Sequence, residues 1–69
     1  MERYTSATMR FIEHYKDNCD TLDYLIKQAC FSQRMTPYGN LDVFDEYTTI
    51  IEELNTMRLK GYNISDVLN

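Results

Sequence analysis

Few side chains in this 69-residue chain have the type and spacing that chemistry needs. The single histidine is His14. A metal ion needs three or four convergent ligands. Its neighbour Glu13 points elsewhere, because successive side chains on a helix diverge by about 100°. Cys19 and Cys30 stand eleven residues apart, without the C-x-x-C spacing of zinc or redox sites. No glycine-rich loop is present to cradle a phosphate. No serine or cysteine has a base and an orienting acid beside it. A chain this short also has little interior from which to exclude water around a reaction. The expectation is a non-enzymatic protein with no cofactor and no metal.

What the chain offers instead is acid and phenol. Eleven Asp and Glu stand against seven Lys and Arg, for a net charge of −4 and a pI of about 4.7. Binding to nucleic acid requires cations that displace counterions from phosphates. Direct contact with DNA or RNA is therefore not expected. An acidic balance suits solubility or a basic protein partner. Asp42, Asp45, Glu46, Glu52 and Glu53, with Thr49 between them, fall on the polar face of the longest expected helix. Four residues on, Asp45 meets Thr49, Glu52 meets Thr56 and Glu53 meets Met57. Asp42 meets Glu46, a like pair costing roughly a few tenths of a kcal/mol. The helix dipole accounts for Asp42, Asp45 and Glu46 near the N-terminus, and for Arg58 and Lys60 near the C-terminus. It does not account for Glu52 and Glu53. That face is either solvated or a docking face for a cationic partner, where complementary charge sets association rate and specificity.

The elements that must position these groups follow from apolar residues recurring with a period of 3.6, which predicts an all-α domain over residues 1–69. A first helix over 5–17 carries the stripe Tyr4, Thr8, Phe11, Ile12, Tyr15 and Cys19. Thr5 or Ser6 caps it, and Glu13 can pair with Arg10 or Lys16. Asp20 is placed to cap a second helix over 21–31, with Asp23 completing a box. Its buried face is Leu22, Leu25, Ile26, Ala29 and Cys30, and Asp23 can pair with Lys27. Residues 32–40 form the loop, with Pro37-Tyr38-Gly39-Asn40 as turn formers. Asn40 caps the third helix, 41–60, whose stripe is Leu41, Phe44, Tyr47, Ile50, Ile51, Leu54 and Met57. Gly61 ends it by adopting the left-handed conformation. Asn63 caps a last turn over 64–68, with Asp66 at its third position. The result is a three-helix bundle with a short C-terminal fourth helix, held by packing because its helices are too short to stand alone.

Of the six tyrosines, Tyr4, Tyr15 and Tyr47 fit the core stripes with their hydroxyls at the wet edge. Tyr24, Tyr38 and Tyr62 fall off the stripes or in turns. They either pack peripherally or contribute to an interface, where tyrosine is enriched. The N-terminal run Met1-Glu2-Arg3-Tyr4-Thr5 lacks the apolar core of a secretory leader. No apolar run approaches the ~18 residues of a membrane span. A cytoplasmic location with free thiols is expected, and there the sequon Asn63-Ile64-Ser65 has no meaning.

Cys19-Asp20-Thr21-Leu22-Asp23 followed by Leu25, then Leu41-Asp42-Val43-Phe44 and Thr56-Met57, resemble the haemolysin-expression-modulator family, Hha/YmoA. The likeness consists of scattered identities, aligned without a gap from Cys19 onward, with matching length and helix layout. It implies a small helical bacterial regulator that uses acidic residues to bind the dimerisation region of an H-NS-type silencer. Where the family carries an Asp-His signature in its third helix, this chain has Thr49-Ile50. Of the family's contact residues, only Asp23 carries over cleanly.

Three functions remain open. The leading one is a regulatory or adaptor protein that binds a basic surface of a larger protein, such as a nucleic-acid-binding protein. It would do so through Asp23, Asp42, Asp45, Glu46, Thr49, Glu52 and Glu53, with Tyr24 and Tyr38 helping. A second is a phage- or plasmid-type inhibitor whose acids mimic phosphates. A third is a homodimer built on the apolar seam of the third helix.

Overall fold

A computed structural model describes residues 4–17 and 21–68. Four helices follow in order: α1 (Ser6–Tyr15), α2 (Leu22–Arg34), α3 (Leu41–Leu59) and α4 (Ile64–Leu68). There is no strand among the described residues.

Each helix starts and stops for a local reason. The Thr5 hydroxyl accepts from the Thr8 backbone N–H and opens α1. Thr21 does the same for α2 by accepting from the Tyr24 N–H. Thr21 thus takes the capping role expected of Asp20, which lies outside the described residues, as does Cys19. Asn40 stands at the N-cap of α3, but its side chain makes no capping bond. Gly61, at φ +79°, ends α3. Its N–H donates to the Arg58 carbonyl, and the Tyr62 N–H donates to Met57, both at 3.1 Å. These are the paired bonds of a Schellman motif. Asn63 and Asp66 cap α4 reciprocally. The Asn63 side chain accepts from the Asp66 N–H at 3.0 Å, and the Asp66 carboxylate accepts from the Asn63 N–H at 3.1 Å.

Two boundaries differ from expectation. α1 ends at Tyr15, before residue 17. α2 runs on to Arg34, one turn past Phe31. That added turn carries Gln33 against α3. Its amide donates to the Phe44 carbonyl at 3.1 Å and to the Thr48 hydroxyl at 2.6 Å. At the other end of the pair, Asp23 bridges Arg58 at 3.1 Å rather than pairing with Lys27. These two ties fix α2 antiparallel to α3. The loop between them shrinks to a tight turn. The Asn40 N–H donates to the Pro37 carbonyl at 3.2 Å, and Gly39 sits at φ +99°, where an L side chain would be strained.

α1 is also antiparallel to α3. Glu53 meets Thr5 at the start of α1, and Tyr47 meets Phe11 further along it, ring centroids 6.3 Å apart. The core consists of Ile12 from α1, Leu22, Leu25 and Ala29 from α2, Ile50, Leu54 and Met57 from α3, and Ile64 and Val67 from α4. α1 and α2 close on α3, and α4 packs against α1. The expected core stripe of α3 holds from Tyr47 to Met57 but fails at its start: Leu41 is 71% exposed and Phe44 44%. α1 lies on the other flank, and α2 turns away at Arg34 after clamping the Phe44 backbone, so their side chains stay open. Cys30 is half-buried and free, rather than a core residue.

Candidate functional site

α3 separates the five acids expected on one face into three groups. At about 100° per residue, Asp45 and Glu52 lie on the side away from the core, and Asp42 lies at its edge toward Glu46 and Glu53. All three are exposed, and none forms an ion pair among the described residues. Glu46 and Glu53 lie one heptad apart on the flank nearer α1. Glu46 lines a groove of about 310 Å³ between α1 and α3, with Arg10 and His14 on the opposite rim. The floor of that groove is aromatic: Phe11 packs on Tyr15 at 4.9 Å and edge-on to Tyr47.

Glu53 is engaged within the fold. It is half-buried, and its Oε1 accepts from the Thr5 backbone N–H at 2.8 Å and from the Thr5 hydroxyl at 3.3 Å. It therefore secures the start of α1. It also shapes the neighbouring phenol: burial first, then the negative potential of Tyr62 and Glu53, pushes the Tyr4 hydroxyl above its ordinary pKa of 10.0.

Three other expected site residues are employed locally or stand apart. The Thr49 hydroxyl donates to the Asp45 carbonyl at 3.3 Å, so it belongs to the helix backbone. Asp23 is engaged by Arg58. Tyr24 is exposed on the far side of α2. Tyr38, by contrast, is fully exposed at the turn before α3, close to Asp42 and Asp45 in sequence.

To Tyr38 the structure adds Leu41 and Phe44, which sequence reasoning assigned to the core. Tyr38, Leu41 and Phe44 line a cleft of about 400 Å³, with Pro37 and Arg34 on its edge. Asp42 and Asp45, which form no ion pair among the described residues, lie at the same end of α3 but do not line the cleft, whose charged residue is Arg34. Apolar centres with polar rims are the usual anatomy of a protein interface. The signal for this was the length of α3: it outruns α1 by about nine residues, or roughly 14 Å at 1.5 Å per residue.

Among the described residues, no three His, Cys, Asp or Glu side chains are grouped to hold a metal ion. No described helix is long and apolar enough to cross a membrane. A scan of protein families finds no match for the chain, and searches of curated proteins and of solved structures find none either. The likeness to haemolysin-expression modulators rests on the residues quoted for it.

Proposed function

We propose that this chain is a small non-enzymatic regulatory or adaptor protein that docks on the basic surface of a partner protein. The docking face is the N-terminal half of α3 with the turn before it. One observation carries this reading: at the N-terminal end of α3, Asp42 and Asp45 are exposed and form no ion pair among the described residues, and Tyr38, Leu41 and Phe44 are exposed at the same end. The apolar group provides area to bury, and the acids select a cationic rim and speed encounter. An H-NS-type silencer is one partner class, suggested by the resemblance. Mimicry of nucleic-acid charge is the weaker reading, because Glu53 and Asp23 are already engaged within the fold.

The test is affinity capture from the native host with the wild-type chain, Asp42→Lys/Asp45→Lys and Leu41→Ala/Phe44→Ala as baits. A specific partner is retained by the wild type, released by salt and lost with both variants. Capture that neither variant nor salt alters refutes the reading.

A further inference from the structure

The groove between α1 and α3 carries opposite charges on its two rims. Arg10 and the imidazole of His14 stand one helical turn apart on α1, and Glu46 stands on α3. All three are exposed. None forms an ion pair among the described residues, so Arg10 and Glu46 do not close on each other across the gap. Glu13, three residues from Arg10, turns instead to Lys16 at 3.7 Å. The contacts of Thr5 with Glu53 and of Phe11 with Tyr47 fix the register of the two helices. Each step along α1 answers one step back along α3, so Glu46 stands level with Ile12, between Arg10 and His14. The two α1 side chains therefore start about 3 Å to either side of the carboxylate's level along the helix.

The space between the rims is lined by rings. The Phe11 and Tyr47 rings stand nearly perpendicular, at 86°, and Tyr15 packs on Phe11. A ring that enters can meet a face or an edge, and both contacts are favourable. At about 310 Å³ the groove lies at the lower end of the ~300–1,000 Å³ range of small-molecule sites. Its guest is one ring with a short polar head.

The rims restrict that head. A lone carboxylate gains Arg10 but faces Glu46, and a lone amine gains Glu46 but faces Arg10. A head that carries both charges satisfies both rims. We propose that this groove binds a free aromatic amino acid. Its ring lies on Phe11, Tyr15 and Tyr47, its carboxylate meets Arg10 and His14, and its ammonium meets Glu46. A residue within a peptide lacks one charge or both, so the free form is selected. The site shares no residue with the cleft at Tyr38, Leu41 and Phe44 or with Asp42 and Asp45, and it stands independently of the docking face.

Titration of the wild-type chain with L-phenylalanine, followed by NMR, tests this. Binding with a Kd of about 1 mM or tighter shifts the ring signals of Phe11, Tyr15 and Tyr47. Phenylpropionate lacks the ammonium, phenethylamine lacks the carboxylate and L-alanine lacks the ring. Each binds at least about tenfold more weakly. Glu46→Gln weakens L-phenylalanine and strengthens phenylpropionate, because the repelling charge is gone. Arg10→Gln weakens L-phenylalanine and strengthens phenethylamine for the same reason. No shift with L-phenylalanine up to about 10 mM, shifts confined to another surface, or any of the three analogues binding as tightly as L-phenylalanine overturns the proposal. So does a folded Glu46→Gln or Arg10→Gln variant that keeps the wild-type order of preference.

Discussion

Glu52 and Glu53 are neighbours in sequence with different work to do. Glu53 closes the start of α1 through two bonds to Thr5, whereas Glu52 is exposed and uses only its backbone carbonyl, which accepts from Thr56. Glu53→Ala is expected to lower stability by about 1 kcal/mol, while Glu52→Ala changes it by less than about 0.5 kcal/mol. Urea unfolding monitored by circular dichroism separates the two; equal losses would remove Glu53 from the fold. Tyr4 gives a pH test of the same corner. Its folded pKa is raised by burial and then by Tyr62 and Glu53. Its contribution to stability is therefore complete below the ordinary tyrosine value and is lost as pH rises through the raised folded value. Tyr4→Phe should unfold with a flatter pH dependence above pH 10.0. Parallel alkaline losses in the two proteins would contradict this.

The helices themselves are locally specified. The Thr5 cap, the Asn63–Asp66 box and the Gly61 stop were all readable in sequence, because each depends on residues within four positions of the helix end. Gly61 tests this level directly. A methyl group there meets no atom within 4 Å, so the cost of Gly61→Ala is conformational, about 1 kcal/mol. A thermal scan should show that loss with the helix content retained. The reading failed where side chains chose distant partners. Asp23 had a cation four residues on, yet it bridges Arg58 thirty-five residues away. The extra turn of α2 was not legible because Gln33, which docks it, finds its partners on α3.

Taken together, the molecule is two short helices closed on one long one, with a fourth packed against the first. Its principal dimensions are 35 × 23 × 19 Å. So few residues are buried that each carries a large share of the stability. Leu54 is inaccessible to solvent at the centre of that core. Leu54→Ala should cost about 2–5 kcal/mol, against a total of roughly 3–10 kcal/mol for a chain of this size. The expected outcome is loss of cooperative unfolding, read by calorimetry. A variant that still melts sharply near the wild-type temperature would mean the core lies elsewhere. The same economy leaves surface uncovered: α3 is too long for α1, and α2 has only one face against it. The uncovered start of α3 holds the side chains proposed to meet a partner protein.

The number and type of elements, the caps of α1 and α4, the Gly61 stop and the acidic, tyrosine-rich character of the chain were determined by the sequence itself. Periodicity and capping act over a few residues, so they survive without knowledge of the fold. Which face of α3 stays open was decided only in three dimensions. Leu41 and Phe44 head an apolar series that runs on to Ile50 and Leu54, yet the series drifts around the helix, and although Gln33 of α2 bonds the Phe44 carbonyl, no helix covers their side chains, which remain exposed. Glu53 looks like Glu52 in sequence, yet it turns toward Thr5. Burial depends on what packs opposite, and that is a property of the assembled bundle rather than of any one segment.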